Sequence, residues 1–289
     1  MSISKLFSWC FFDRVKIGAE WRDVLYEHGF EKVGDFIDYD DGTIVSRAVK
    51  QPVRRIALSH GGKDYCFFLK QQRVGTIKSW LKLVRHSNSE LLVSTREYRL
   101  LDMCRREGIE VMATVAWGER RLFFWPVAGF VMADEVKGEE FTQVYMQSGP
   151  CLQRKMMYAY GALVAMMHRK RINSKVRPRD MICRDRRFES YAESLVLIDR
   201  ERGKPRYVDM GDRIAIKQLL GVWHKNAQFL NYPGLDQLGC FWLGYCSERP
   251  EFREFTKERK ELFLDILEGL PRQPDRDKFD AHYADWMRG

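Results

Sequence analysis

The hydrophobic pattern of this 289-residue chain changes period part-way along, and that change constrains the fold more than any single motif. Three β-prone runs come in succession: Thr43 to Lys50, Val53 to Ser59 and Tyr65 to Lys70. Asp40-Asp41-Gly42 is a turn signal ahead of the first, and His60-Gly61-Gly62-Lys63-Asp64 is a hairpin connection before the third. Three consecutive strands predict an antiparallel sheet. A helix from about Ser94 to Arg105 and two more strands, Val111 to Trp117 and Arg121 to Val127, follow. Beyond the charged stretch Asp134 to Glu140 the spacing turns helical. Leu152, Met156, Tyr160, Leu163 and Met167 recur at three- and four-residue intervals, the mark of a well-buried helix. Residues 213–246 and 253–268 read as further helices. A sheet-rich first half and a helix-rich second half predict an α+β architecture of two lobes, an antiparallel-sheet N-lobe over 1–133 and a helical C-lobe over 134–289.

Bulk properties narrow the class. Hydrophobic content of 45% with 13% aromatics is ample for a core. No run approaches the ~18 apolar residues that span a bilayer, and the apolar patch Trp9-Cys10-Phe11-Phe12 lacks the cleavage site of a secretion signal. Seven cysteines at irregular spacings, with no CxxC pair, predict free thiols in a reducing cytoplasm rather than structural zinc. The net charge of +9 suits an anionic partner. It is concentrated between His168 and Arg187, where nine Lys or Arg accompany two acids, Asp180 and Asp185. Residues 76–86 are amphipathic and basic, with Ile77, Trp80, Leu81 and Val84 at helical spacing.

Four positions could carry phosphoryl chemistry. Lys70 closes the strand Cys66-Phe67-Phe68-Leu69 and can reach nucleotide phosphates; the plain alternative is a lysine snorkelling from a strand end. Glu97, on the following helix, would hold Lys70 in an ion pair. Ser94-Thr95-Arg96-Glu97 also matches a helix capping box, which would make Glu97 structural. Asp180 is the first carboxylate after the buried helix and could orient an acceptor hydroxyl and take its proton; the alternative is an incidental acid in a basic surface loop. Asp199 ends the apolar run Leu195-Val196-Leu197-Ile198, a place from which a carboxylate can ligate a metal. Lys, Glu, Asp, Asp in this order is the order of a protein-kinase-like fold. No GxGxxG is present, and the turn at Gly42, with Ser46 and Arg47 beyond it, is only a loose phosphate cradle.

From about Gly42 to Tyr245 the chain resembles the lipopolysaccharide core kinases, the heptose- and Kdo-phosphorylating branch of the protein-kinase-like fold. The resemblance rests on Phe67-Phe68-Leu69-Lys70-Gln71-Gln72, Arg96-Glu97-Tyr98-Arg99-Leu100-Leu101, Met167-His168-Arg169-Lys170-Arg171-Ile172-Asn173 and Leu197-Ile198-Asp199-Arg200. It implies ATP, Mg²⁺ and a sugar hydroxyl of the inner core as acceptor, with the protein cytoplasmic and peripheral on the inner membrane. It also implies roles: Lys70 on the α/β-phosphates, Glu97 positioning Lys70, Asp180 as base, Asp185 and Asp199 as Mg²⁺ ligands. In the family, His-Arg-Asp directly follows the Asn. Here Ser174-Lys175-Val176 stand there, and four extra residues are needed to bring Arg179-Asp180 into register.

Two rivals follow. A catalytically degenerate pseudokinase of the same fold would bind without transferring and act in envelope biogenesis. A basic nucleic-acid-binding protein would interleave cations with exposed aromatics on one sheet face. The aromatics here sit mostly at core spacings, so a nucleic acid partner is not expected.

Overall fold

The computed structural model describes residues 11–48, 51–74, 92–123, 125–173, 175–188, 194–199, 206–254 and 256–268. The amphipathic segment 76–86, the residues before Phe11 and the polar tail from Pro271 lie outside these. The chain forms two compact units. One comprises Met1–Asp102 and Met112–Val136; the other comprises Met103–Val111 and Lys137–Gly289.

The first unit holds β1 (Phe11–Ile17), α1 (Arg22–Glu27), α2 (Val33–Ile37), β2 (Thr43–Ala48), β3 (Gln51–His60), β4 (Lys63–Arg73), α3 (Val93–Arg106) as far as Asp102, β5 (Thr114–Leu122) and β6 (Trp125–Asp134). Its six strands are ordered β1-β5-β6-β4-β3-β2, with every neighbouring pair antiparallel. Gly61 and Gly62 both take positive φ, which the two-residue turn between His60 and Lys63 demands. Gly42 is also fixed by geometry: φ is 87°, and a side chain there would press on the Arg55 carbonyl.

Alternation along β4 assigns its faces. Phe67, Leu69 and Gln71 are buried on the side where α1, α2 and the link between them supply Val24, Leu25, Phe30, Val33 and Phe36. Phe36 stacks on Phe130 of β6 with ring centroids 4.1 Å apart. Gln71 earns its buried place by donating to the carbonyls of Phe36 and Tyr39, at 2.8 and 2.6 Å. Phe68, Lys70 and Gln72 therefore face the other side.

Several elements depart from the expected bounds. β4 runs on to Arg73, so Lys70 lies inside the strand rather than at its end. β5 and β6 are displaced towards the C-terminus, because Gly118, Glu119 and Arg120 pair in the ladder despite their polarity. β1 has no counterpart in the sequence reading: an edge strand exposed along nearly its whole length leaves no clean alternation.

The second unit holds β7 (Glu139–Glu140), α4 (Phe141–Gln147), α5 (Pro150–Arg169), β8 (Met181–Cys183), β9 (Leu195–Leu197), α6 (Asp212–Asn226), α7 (Leu235–Glu248) and α8 (Lys257–Glu268). Pro150 opens α5 at its first turn, where a missing N–H has no consequence. Met156, Tyr160, Leu163 and Met167 are buried as their spacing predicts. The helical stretch expected over 213–246 is two helices. The break falls where Asn231 and Tyr232 take left-handed φ ahead of Pro233-Gly234. α5 and α7 touch backbone to backbone: a Cβ on Gly161 would overlap the Phe241 carbonyl, and one on Gly244 the Tyr158 carbonyl. Three short strands, β7-β8-β9, make a small antiparallel sheet. Among the described residues no helix is long and apolar enough to cross a membrane.

Candidate active site

In the first unit, Lys70 pairs in register with Val53 of β3 and Val131 of β6, and its ammonium donates to Glu97 Oε1 at 2.7 Å. The Glu97 side chain is 1% exposed and that of Lys70 17%, so the pair is shielded from solvent screening. The capping box is not formed. α3 begins at Val93, whose N–H is capped by the Gln72 side chain at 2.7 Å, and the Ser94 hydroxyl is buried without a hydrogen-bond partner. Glu97 is thereby turned onto the sheet. Thr95 donates to Glu119 at 3.1 Å, and Tyr98 stacks on Trp117 at 4.8 Å, fixing the helix beside β5.

In the second unit, the end of α5 and the chain after it carry the other candidate residues. His168 is buried, with Nδ1 2.9 Å from the Tyr245 hydroxyl and Nε2 3.2 Å from Gln218 Oε1. Gln218 in turn donates to Asn173 Oδ1 at 2.7 Å, so the imidazole ties α5, α6, α7 and the following loop together. Burial pushes its pKa down to about 4, and the ring is neutral at pH 7. Val176, which an ungapped family alignment would put at the base position, is a core residue. It is 1% exposed, and its carbonyl accepts from the Tyr160 hydroxyl at 2.7 Å.

A single turn of 3₁₀-helix, Pro178–Asp180, then leads into β8. Met181 pairs with Leu197, and the N–H of Ile198 donates to the Asp180 carbonyl at 2.8 Å. This ladder sets Asp180 and Asp199 side by side at one end of a strand pair. Arg177 joins them: its Nε donates to Asp180 Oδ2 at 2.6 Å and its Nη2 lies 4.0 Å from Asp199 Oδ2. Asp180 is buried, whereas the Asp199 side chain is 39% exposed. Asp199 also takes the left-handed region at φ 52°, a conformation that clusters at functional sites. Asp185 is engaged locally, accepting from the Arg187 N–H at 2.8 Å with its other oxygen 3.7 Å from the Arg187 guanidinium.

Sequence reasoning passed over Arg177 as one cation in a basic stretch. The signal was present: a proline directly after it opens the turn, and Asp180 follows at i+3. The basic stretch itself differs from expectation. Most of its cations meet carboxylates: Arg169 with Glu248, Lys170 with Glu107, Arg184 with Glu110, Arg186 with Glu139, Arg187 with Asp185, and Arg177 and Arg179 with Asp180. Local acids offset most of its charge.

Among the described residues no three His, Cys, Asp or Glu side chains converge as a metal-binding group. Mg²⁺ does not need one, since it keeps several waters and takes one or two carboxylates together with substrate phosphates. Asp199, a hard oxygen donor presented at a strand end, fits that donor chemistry.

The family model for the lipopolysaccharide kinase (Kdo/WaaP) family matches residues 44–225, well over half of the chain. The chain belongs to this family. The activity of this lipopolysaccharide kinase family is phosphoryl transfer to lipopolysaccharide. No curated protein matches the chain. Among solved structures, WaaP in complex with acyl carrier protein is similar over 95% of this chain and 96% of its own, at 16% identity and a TM-score of 0.52. Rv3197 from Mycobacterium tuberculosis, solved with erythromycin, aligns over 74% of this chain and 58% of its own, at 14% identity and a TM-score of 0.40. The bifunctional kinase-methyltransferase WbdD aligns over 71% and 47%, at 12% identity and 0.38. The fold is the two-lobe α+β protein-kinase-like one, with an antiparallel-sheet N-lobe and a helical C-lobe.

Proposed function

We propose that this Kdo/WaaP-family chain transfers the γ-phosphoryl of ATP to a sugar hydroxyl, on heptose or Kdo, of the lipopolysaccharide inner core. The observation that carries the reading is the β8–β9 ladder, which brings Asp180 and Asp199 together around Arg177. Asp180 orients the acceptor hydroxyl and takes its proton as the oxygen attacks. Lys70 binds the α/β-phosphates, and Glu97 holds its ammonium in place. Asp199, with Asp185, would hold Mg²⁺, which supplies charge neutralisation at the phosphate oxygens when bound. The burial of Val176 supports Asp180, four residues later, as the base. A lipid-anchored acceptor and a net charge of +9 favour action at the cytoplasmic face of the inner membrane.

The test is phosphoryl transfer from ATP to dephosphorylated core oligosaccharide. Asp180→Asn should bind Mg·ATP as the parent does and lose transfer by roughly 10²–10⁴-fold, the span for a positioned base. Asp199→Ala should bind ATP without Mg²⁺ dependence in calorimetry. A parent that binds Mg·ATP and transfers nothing would make the chain a pseudokinase of this family.

A further inference from the structure

The four residues that separate this chain from the family's Asn-His-Arg-Asp run are Ser174 to Arg177. An incidental surface insertion would leave its residues in solvent. Here the last two are buried and anchored, Val176 through its carbonyl on Tyr160 and Arg177 through its guanidinium on Asp180. Arg177 is flat and forked, and two of its nitrogens face different carboxylates. Nε takes Asp180 Oδ2 at 2.6 Å, and Nη2 faces Asp199 Oδ2 at 4.0 Å. Arg179 approaches the other oxygen of Asp180, Oδ1, only at 4.0 Å and is itself largely exposed. One oxygen of Asp180 is therefore committed to Arg177. The backbone on either side is fixed as well, by Asp180 N–H on the Arg177 carbonyl at 3.0 Å and by Ile198 N–H on the Asp180 carbonyl.

We propose that Arg177 is a positioning residue for phosphoryl transfer, its guanidinium setting the plane of the Asp180 carboxylate and tying it to Asp199. The inference rests on the reading of Asp180 as the base. Its physical content is orientation: a carboxylate clamped by a forked guanidinium has its plane fixed, and a misplacement of about 1 Å at a reacting group costs roughly 10²-fold. A lysine in the same place would supply charge without the fork.

Parent, Arg177→Met, Arg177→Lys, Asp180→Asn and the double variant Arg177→Met/Asp180→Asn are compared as full chains. Transfer from Mg·ATP to dephosphorylated core oligosaccharide and thermal unfolding without ligand are both measured. Arg177→Met should lower kcat about 100-fold with KM for ATP within about twofold, and Arg177→Lys should recover about tenfold of that loss. In the double variant the Arg177 change should add almost nothing to the loss from Asp180→Asn. Thermal unfolding should show the same coupling, with a fall of roughly 5–10 °C for Arg177→Met that shrinks in the Asp180→Asn background.

An Arg177→Met variant with parental kcat, one whose loss lies in KM, or one whose loss adds in full to that of Asp180→Asn overturns the inference and leaves the kinase reading standing. If Arg177→Met does not fold, Arg177→Lys decides, and parental kcat in that variant overturns it. A parent that transfers no phosphate removes the kinase reading, and the positioning role with it.

Discussion

Lys70 and Glu97 illustrate how much a single pair can depend on burial. A surface ion pair contributes ~0–1 kcal/mol, but here the carboxylate is almost wholly buried and the ammonium has 17% of its side chain exposed. Removing one partner leaves the other as a poorly solvated charge. Glu97→Gln keeps the shape and removes the charge that holds Lys70. ATP affinity in that variant should fall about tenfold or more, the span for a charged hydrogen bond, as measured by calorimetry. A fall in melting temperature with unchanged ATP affinity would mean that the pair only braces α3 against the sheet. The choice between ion pair and capping box could not be made from Ser94-Thr95-Arg96-Glu97 itself. It turned on where α3 begins, and Gln72 on a neighbouring strand fixes that point.

At the scale of elements, α5 and α7 are held close by two glycines, and α7 supplies a control. Gly161→Ala inserts a Cβ where the Phe241 carbonyl already lies, so the helices must part; the expected loss is about 1–3 kcal/mol. Gly239, on α7, is exposed with nothing near a built Cβ, and Gly239→Ala should stabilise by about 0.5–1 kcal/mol through helix propensity. Denaturant unfolding of the two variants tests the contact; equal effects would rule it out. Helices of this kind are legible from spacing, and α5 runs where Leu152 to Met167 put it. Strands of three residues are not. β8 (Met181–Cys183) sits among arginines and has no counterpart in the sequence reading, because its support is the ladder to β9 rather than any alternation of its own.

At the scale of the whole molecule, one buried group ties stability to pH. The His168 imidazole has its pKa held near 4 in the folded chain, against an ordinary value of 6.5. Between those limits the unfolded chain takes up a proton that the folded chain does not. The neutral ring's contribution is therefore complete above about pH 6.5 and is lost as pH falls towards 4. The loss is on the order of 3 kcal/mol. Thermal unfolding from pH 7.5 to 4.5 should show a steady decline that His168→Gln, neutral throughout, reduces; an identical slope in both would refute the assignment.

The sequence by itself determined the class of architecture and the inventory of chemistry. The switch from period two to helical spacing is written by neighbours in the chain, and so were Lys70, Glu97, Asp180 and Asp199 as the residues to examine. Tertiary structure decided what each of them meets. Glu107, Glu110, Glu139 and Glu248 offset a basic stretch from which most of them lie far away in sequence. Arg177 became a clamp on two carboxylates instead of one more surface cation, because a strand register carries Asp199 back beside Asp180. Such pairings depend on packing between segments remote in the chain, and local spacing does not encode them.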